Sequence, residues 1–508
     1  MGNPDTGTEI ELKFQVPADR LTALARALGT KTAQTVELRA QYFDTPDGRL
    51  AAARLAWRLR QEGAVWIQTL KGPGDGLVQR LEHEVPRDPA DGNPPAPDAA
   101  LHADHPAGAA LRRALKGATP VLRHGTQIRR LKRVLHHQGA HIELALDEGD
   151  VVAGDARAPL AELEFELLSG PLPALLDLAA RWAQRFGLRP DPATKSERAQ
   201  WLLQGLPMRP VARGETPQPA ADLPLGTAGA TLVAAALAHA LPNAAAITEG
   251  RHGPDHLHQL RVGLRRLRSV LRAFGPADPR RDAALATLFA ALGSRRDADV
   301  LAATLAPAAA AAGAAGLIWP VVEPVGAAGA DDALIDAASS PERALSAPGT
   351  TRLWLLLLAL AVPGPDPTPW GPTALAVLRR WHRRARRAAA AWATLDEARR
   401  HALRRRLKRV RYLMEFSAAL LPAKAAKAEA VALRRLQDSL GRWNDLLAAR
   451  DALAALPATP GRDFGAGWVA AELAHADATC ALEAAAWRRR AGAVFKPAAR
   501  RGRRQKRR

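Results

Sequence analysis

The sequence contains a single cysteine, Cys480, among its 508 residues. One thiol cannot form a disulfide within the chain, and it cannot build a cluster in which several thiolates hold a metal ion. We therefore expect Cys480 to be a small buried side chain on a helix.

Long apolar runs are also missing. The longest unbroken one, residues 353–362, has ten residues, whereas a membrane-spanning helix needs about 20. No signal-like apolar stretch lies near the N-terminus. We therefore expect a cytoplasmic protein without membrane insertion.

Acidic residues are too few to balance the basic ones, and the net charge is +21. The imbalance is uneven, because residues 1–205 hold 26 basic and 26 acidic side chains, which leaves 46 basic and 25 acidic side chains in residues 206–508. A basic C-terminal part implies a polyanionic partner, which could be a nucleic acid, an anionic membrane surface or polyphosphate. The length indicates two or three domains.

Near the N-terminus, residues 9–14 read Glu-Ile-Glu-Leu-Lys-Phe. Side chains alternate between the two faces of a strand, so the charged residues share one face and the apolar residues share the other. A half-buried surface strand would show the same alternation. Its repetition further along the chain favours a different interpretation.

The same alternation recurs in strand-like segments up to residue 167. Its charged and polar members are Arg58, Arg60, Thr69, Lys71, Arg80, Glu82, Glu84, Arg129, Arg133, Glu143, Asp147, Glu162, Glu164 and Glu166. A flat sheet could expose these charges to water, but its apolar face would then need a cover of helices. A closed barrel, wrapped by helices and a second domain, satisfies both requirements and places charges of both signs in its lumen.

A tunnel lined by both acidic and basic side chains suits one class of ligand. Carboxylates hold a hard divalent cation, while Lys and Arg hold phosphate oxygens. The metal ion bridges the two sets of groups. The expected ligand is therefore a metal-bound polyphosphate.

These motifs resemble the CYTH family of triphosphate tunnel metalloenzymes over residues 5–202. The resemblance rests on Glu9-x-Glu11-x-Lys13, Arg58 with Arg60, Thr69-Leu-Lys71, Arg80-x-Glu82-x-Glu84, Glu143 through Asp147-Glu-Gly149, Glu162-Leu-Glu164 and Lys195-Ser196. It implies an α+β domain with an eight-stranded antiparallel β-barrel tunnel and flanking helices. It also implies hydrolysis of triphosphates with Mg²⁺ or Mn²⁺.

Charge then assigns the expected roles. The expected metal ligands are Glu9, Glu11, Glu162 and Glu164, and the expected catalytic residues are Glu9, Glu11 and Lys13. The expected phosphate contacts are Lys13, Arg58, Arg60, Lys71, Arg80, Arg133 and Lys195. Asp147, Glu82 and Glu84 could complete a second metal site or orient water. Arg129 and Arg130 are adjacent and lie on opposite faces, so the sequence leaves open which of them points into the lumen.

Beyond residue 205 the strand pattern ends. Residues 206–227 are rich in proline and predict a linker. Two motifs then occur twice, about 145 residues apart, which indicates a duplicated helical domain. His258-x-x-Arg261 through Arg268 returns as His401-x-x-Arg404 through Arg411, and Leu292-Gly293 with Asp297 returns as Leu440-Gly441 with Asp445.

These repeats resemble the CHAD domain, an all-helical module that is thought to bind inorganic polyphosphate. The resemblance implies an all-α C-terminal domain of two duplicated helical bundles. The binding residues that it implies are His258, Arg261, Arg265, Arg268, His401, Arg404, Lys408 and Arg411. On the first repeat helix a leucine stripe, which includes Leu260 and Leu264, runs beside the cationic stripe and predicts the core-facing side.

The sequence thus predicts a tunnel domain at 5–205, a linker at 206–227, a helical domain at 228–490 and a disordered basic tail at 491–508. The predicted activity is metal-dependent hydrolysis of inorganic triphosphate, with polyphosphate as a second ligand and no specific nucleic acid. Thiamine or nucleotide triphosphatases and class IV adenylate cyclases remain alternatives, as does an adaptor without turnover that binds polyphosphate.

Overall fold

The computed structural model describes residues 8–74, 77–89, 94–293, 304–313, 340–490 and 493–495. Two expectations fall outside these residues: the disorder of most of the basic tail, and the placement of Asp297 in the second repeated motif.

Eight antiparallel strands form a closed barrel in the N-terminal part. They are β1 (Thr8–Gln15), β2 (Gln34–Asp44), β3 (Ala56–Glu62), β4 (Val65–Pro73), β5 (Gln79–Arg87), β6 (Val121–His137), β7 (Ala140–Ala153) and β8 (Ala156–Ser169). Neighbouring strands follow the order β5-β4-β3-β2-β6-β7-β8-β1, and β1 also pairs with β5. The two edge strands of the sheet are therefore joined, which confirms the predicted eight-stranded barrel. A short ninth strand, β9 (Arg189–Pro190), pairs with β1.

Most apolar residues of these strands face outward into a core shared with helices. Phe14 on β1 and Phe165 on β8 are buried and meet edge to face, with 5.4 Å between ring centroids. The helices of this part are α1 (Leu21–Leu28), α2 (Arg49–Ala52), α3 (Pro106–Leu115), α4 (Leu172–Phe186) and α5 (Lys195–Leu203). Helix α4 packs on the barrel with seven of its residues buried, so the barrel's outside is covered as expected.

Helix α5 differs from the others because it reaches the barrel interior. Thr194 and Glu197 form a capping box at its N-terminus, an arrangement that fixes where a helix begins. Ala199, one turn further on, packs with lumen-side apolar residues of the strands, which include Leu38 and Ile128. The helix therefore carries its first residue, Lys195, into the barrel.

Beyond residue 224, the described residues are mainly helical, as predicted. The described helices of this part are α6 (Leu225–Thr248), α7 (Pro254–Phe274), α8 (Pro279–Ala291), α9 (Ala306–Ala311), α10 (Pro341–Ser346), α11 (Pro348–Ala359), α12 (Trp370–Ala390), α13 (Glu397–Phe416), α14 (Ala423–Ala454) and α15 (Pro460–Arg490). The two repeat helices, α7 and α13, contact each other. The predicted leucine stripe is buried at every position, including Leu260 and Leu264, and Cys480 is buried on α15.

Helix α6 is long and apolar enough, by composition, to cross a membrane, with a mean hydropathy of 1.5 in its most apolar window. That window is 72% buried inside the protein, as is typical of a core helix. Glycine, threonine and histidine interrupt the alanines and leucines of α6, so the helix contains no long unbroken apolar run.

The segment that joins the barrel to the helical part has no helix between residues 206 and 224, but it is held at many points. Arg209 is buried and donates two hydrogen bonds to Asp191, at 2.8 and 2.7 Å, and it also pairs with Glu249. Further along, Gln218 donates to the carbonyl oxygen of Glu415. This proline-rich connector, residues 206–224, is therefore a fixed strap rather than a flexible tether.

We expect Asp191→Asn to destabilise the protein by about 3 kcal/mol, because it breaks a buried ion pair and leaves the charge of Arg209 under-compensated. Burial acts to raise the pKa of Asp191, but hydrogen bonds from Arg209 and the charge of Arg198 lower it to about 2. The contribution of Asp191 is therefore fully present above about pH 4 and is lost as the pH falls through 2. Thermal unfolding from pH 2 to 8 measures the difference.

Asp19→Asn is the matched control for this measurement, since Asp19 is largely exposed. A difference between wild type and Asp191→Asn that stays constant from pH 8 down to pH 2 would contradict this account of the strap.

Candidate active site

The barrel lumen is part of a cavity of about 1000 Å³ whose barrel walls are strongly charged. Eight of the residues predicted for the site line it: Glu9, Lys13, Arg58, Arg60, Lys71, Arg80, Glu164 and Lys195. Glu11 and Glu162 are almost fully buried and touch lining residues, since Glu11 pairs with Lys13 and Glu162 pairs with Lys195. The structure therefore brings together ten of the eleven predicted site residues of the barrel.

One acidic cluster surrounds Lys195. Carboxylate oxygens of Asp147, Glu162 and Glu164 all lie within 4.8 Å of one another. The Lys195 ammonium contacts all three, at 2.8 Å from Asp147 and 2.7 Å from Glu164. Arg130 adds a bidentate pair with Asp147 and a 2.6 Å contact with Glu164.

These contacts explain the protonation of the cluster. Burial acts to lower the pKa of Lys195, but the three carboxylates raise it well above its usual value. Burial likewise acts to raise the pKa of Glu164, and the charges of Lys13, Lys195 and Arg130 lower it well below the usual value. Both groups are therefore charged at neutral pH.

The opposite wall of the lumen, on β3, β4 and β5, has the same mixed character. Lys71 lies 2.8 Å from Glu9 and 3.0 Å from Glu82. Arg60 lies 3.4 Å from Glu84, which also accepts a hydrogen bond from Thr69. Lys71 and Arg60 are thus each placed beside an acid that a bound anion could replace.

A second acidic group follows from the strand register. Glu166 on β8 stands directly between Glu143 on β7 and Glu11 on β1. Two residues along the strand, Lys13 takes the corresponding place beside Glu164. Like charges directly opposite each other on paired strands are destabilising. The neighbouring strands place no cation opposite Glu166, whereas they place Lys13 opposite Glu164.

The pKa values reflect this lack of compensation. Burial and the charges of Glu9, Glu143 and Glu82 raise the pKa of Glu166 to about 8. Burial also raises the pKa of Glu11, and one of its buried carboxylate oxygens has no hydrogen-bond partner. Among the described residues, Glu166 forms no salt bridge.

Both acidic groups fit a divalent cation. The cluster of Asp147, Glu162 and Glu164 supplies three converging oxygen ligands of the kind that Mg²⁺ and Mn²⁺ prefer. Glu11 and Glu166 supply two further carboxylates, which have too little positive charge beside them. Lys195 already contacts the first cluster, so binding of a cation there would require its ammonium to move toward an anion.

Arg133 does not lie where the sequence analysis expected it. Strand β6 pairs with β7 without a register shift from Gly125 to His137, so Arg130 and Arg133 point to opposite faces. Arg130 lines the lumen, whereas Arg133 shares its face with Leu131, which packs against the outer core. The prediction that Arg133 contacts phosphate is therefore wrong, and Arg130 supplies the β6 arginine of the lumen.

The same alternation settles the open choice between Arg129 and Arg130. Arg129 is half exposed and pairs with Glu148 at 2.9 Å, outside the lumen. The sequence left the choice open because the register between β6 and β7 could not be read from one strand alone. The sequence analysis assigned no role to Glu166, although the glutamate alternation of β8 already placed Glu166 on the lumen side.

The predicted polyphosphate residues also come together, at the contact between α7 and α13. Arg261 and Arg265 of the first repeat lie near Arg404, Lys408 and Arg411 of the second repeat. Burial and these four arginines lower the pKa of Lys408 to about 5. Among the described residues, Lys408 has no carboxylate partner.

Two aromatic rings support this basic surface. The ring of Phe289 on α8 lies under Arg261, 4.4 Å from its guanidinium carbon, and it also lies close to Arg265 and Arg268. On the second repeat, His401 packs against Trp443, with 5.6 Å between ring centroids. We call this surface of Arg261, Arg265, Arg268, Arg404, Lys408 and Arg411 the basic groove. The structure places His258 on the same helix as Arg261, half-buried.

Comparison with known proteins follows the same division. Residues 7–199 match the CYTH domain family, and residues 231–454 match the CHAD domain family. A curated relative, the inorganic triphosphatase of Haemophilus influenzae, is 29% identical over 205 residues, which cover 38% of this chain and 54% of the relative. The chain therefore spans about half the length of this curated relative.

Two solved structures show similarity to separate parts. The CHAD domain from the plant Ricinus communis is 28% identical, with a TM-score of 0.43, and the match covers 54% of this chain and 96% of that domain. A candidate adenylyl cyclase from Hippeastrum, described as having a dominant triphosphatase activity, is 17% identical with a TM-score of 0.26. That match covers 38% of this chain and 95% of the Hippeastrum chain.

We expect Glu166→Gln to stabilise the protein at high pH in the presence of a chelator. The pKa of Glu166 is raised in the folded state, so its favourable contribution is complete below about pH 4 and is lost as the pH rises through 8. At pH 8 the variant should exceed wild type by on the order of 2 kcal/mol. Chemical denaturation between pH 4 and 9 measures this.

Glu148→Gln, on the outer face of β7, serves as the control. Equal stability of wild type and Glu166→Gln across the whole pH range would contradict the claim that Glu166 lacks a compensating positive charge.

Proposed function

Since the chain carries a CYTH domain at residues 7–199 and a CHAD domain at residues 231–454, we propose that it hydrolyses inorganic triphosphate in the barrel lumen and binds longer polyphosphate in the basic groove. The observation that carries the first part is the lumen itself. Its buried acids and bases pair with each other in a way that a metal-bound triphosphate would rearrange. The relatives support triphosphate hydrolysis at the level of the family.

The cations of the lumen are proposed to bind the phosphate oxygens. They are Lys13, Arg58, Arg60, Lys71, Arg80, Arg130 and Lys195. Charged donors fixed in a site that excludes water stabilise the charge of a transferring phosphoryl group without reorganisation. Arg58 is well placed for this role: burial acts to lower its pKa, but Tyr42, Glu82 and Glu84 raise it above its usual value, so that the guanidinium stays charged.

The carboxylates are proposed to divide between two tasks. Asp147, Glu162 and Glu164 would hold a divalent cation, and Glu9 and Glu11 would complete its surroundings. When bound, the cation supplies charge neutralisation on the phosphate oxygens. Glu166, to which the described residues give no salt bridge, is proposed to accept the proton of the attacking water once the charge of a bound cation has lowered its raised pKa.

The choice of Mg²⁺ or Mn²⁺ as the cation and of inorganic triphosphate as the substrate is part of this proposal. Phosphate release from tripolyphosphate, ATP and thiamine triphosphate, each tested with Mg²⁺, Mn²⁺ and a chelator, separates the alternatives. Preferred release from tripolyphosphate supports the proposal. Cyclic AMP as the main product from ATP, or no release with any metal, would contradict it. The cytoplasmic location stays a prediction from the sequence.

We expect Arg130→Gln to lower kcat/KM for tripolyphosphate by at least about 100-fold, because it removes a fixed charged donor from the lumen. Arg129→Gln should stay within about twofold of wild type, since Arg129 is on the outer face. The two residues are adjacent, so the pair is closely matched. Asp147 keeps Lys195 as a partner in the first variant, and circular dichroism checks that both variants are folded.

A parallel loss of activity in both variants would argue for a general effect on folding or charge. Wild-type activity in Arg130→Gln would contradict the proposed role of the lumen.

For the basic groove, we expect polyphosphate binding to take up a proton at pH 7. With a pKa of about 5, Lys408 is neutral in the free protein, and a bound polyanion favours its charged form. Isothermal titration calorimetry in two buffers with different ionisation enthalpies measures the uptake. In Lys408→Gln the uptake should fall by about one proton and the affinity should fall by about tenfold.

Arg399→Gln on the same helix is the control, because Arg399 is exposed and pairs with Asp396. If proton uptake is the same in wild type and Lys408→Gln, Lys408 does not take up a proton on polyphosphate binding, and its proposed role is contradicted.

A further inference from the structure

The cavity of the lumen does not end at the barrel. Its wall continues over the connector, residues 206–224, and onto helix α6. The lining residues outside the barrel include Arg209, Arg213 and Glu215 of the connector and His239 of α6. The helical part therefore helps to build one mouth of the tunnel.

Most charges at this mouth are already paired. Arg209 is held by Asp191 and Glu249. Arg54, at the barrel rim, forms an ion pair with Glu215 at 2.6 Å. Arg213 is different, because it lines the cavity and has no carboxylate partner among the described residues.

The backbone on both sides of Arg213 is fixed. The amide of Ala212 donates to the side chain of Asn243, which donates back to the carbonyl oxygen of Ala212. On the other side, Gly214 runs so close to α6 and α7 that an added Cβ would lie 2.3 Å from a guanidinium nitrogen of Arg266 and 2.5 Å from a ring nitrogen of His239. The position of Arg213 is therefore set by the helical part.

We propose that Arg213 is a specificity residue that binds the phosphates of a linear polyphosphate projecting from the lumen. The inference rests on the proposed function and extends it, because the triphosphate unit would be held inside the barrel and Arg213 would meet the fourth and later phosphates. A guanidinium offers two parallel donors to a phosphate group, which makes arginine suited to this contact.

The negative charge of Glu215 should oppose the effect of Arg213. It lines the same mouth and repels a projecting anion, while its ion pair with Arg54 cancels one positive charge there. Removal of the Glu215 charge should therefore act in the direction opposite to removal of the Arg213 charge. A role for the connector in folding alone would not produce opposite effects.

The test measures the inhibition constants of pyrophosphate, linear tetraphosphate and linear pentaphosphate against tripolyphosphate hydrolysis by the full chain. In Arg213→Gln, the constants for tetraphosphate and pentaphosphate should rise by about tenfold relative to that for pyrophosphate. In Arg213→Lys the rise should be smaller, since the charge stays but the paired donors are lost. In Glu215→Gln the constants for the longer chains should fall.

Arg113→Gln is the control, because Arg113 is exposed on α3 and lies outside the cavity wall. If wild type hydrolyses tripolyphosphate but Arg213→Gln changes all three inhibition constants equally or not at all, the inference is overturned and the proposed function stands. If wild type releases no phosphate from tripolyphosphate with either metal, the proposed function fails and the inference fails with it.

Discussion

The mutual pairing of buried acids and bases inside the barrel is the constraint on which the rest of the structure depends. A carboxylate or ammonium taken out of water costs several kcal/mol unless a partner of opposite charge compensates it. Asp147, Glu162 and Glu164 satisfy this condition through Lys195 and Arg130. Under the proposed function the same acids and bases would bind the metal ion and the phosphates, and without a ligand they stabilise one another.

This constraint determines what surrounds the barrel. Because the lumen takes the charged face of most strands, the apolar face of those strands must be covered from outside. Helix α4 covers one side of the barrel and also packs on α11 of the helical part, where Thr351 donates to the carbonyl oxygen of Leu188 at 3.0 Å. Barrel and helices therefore share one continuous apolar core. The connector completes this attachment and reaches the mouth of the tunnel.

Much of this arrangement could be predicted from one sequence because its signals are local. The charged alternation identified the lumen face of β1, β3, β4, β5 and β8, and the duplicated motif identified the two helices of the basic groove. The lumen face of β6 could not be read in this way, because its arginines occur on both faces. Only the pairing with β7 separates Arg130 from Arg133.

Contacts between distant segments could not be predicted from the sequence for the same reason. The proline content of the connector indicated a linker but gave no sign that Arg209 would bind Asp191 and Glu249. The isolation of Glu166 depends on which residues stand beside it on β1 and β7. Residue type alone therefore predicted most of the charged side chains that line the lumen, whereas the compensation of each charge became visible only in three dimensions.

The most direct test is a crystal structure of the protein with Mg²⁺ and a triphosphate analogue that resists hydrolysis. The account predicts the analogue inside the barrel, a metal ion on the carboxylates of Asp147, Glu162 and Glu164, and the Lys195 ammonium moved from these carboxylates onto a phosphate oxygen. An analogue bound elsewhere, with Lys195 still paired to all three acids, would contradict it.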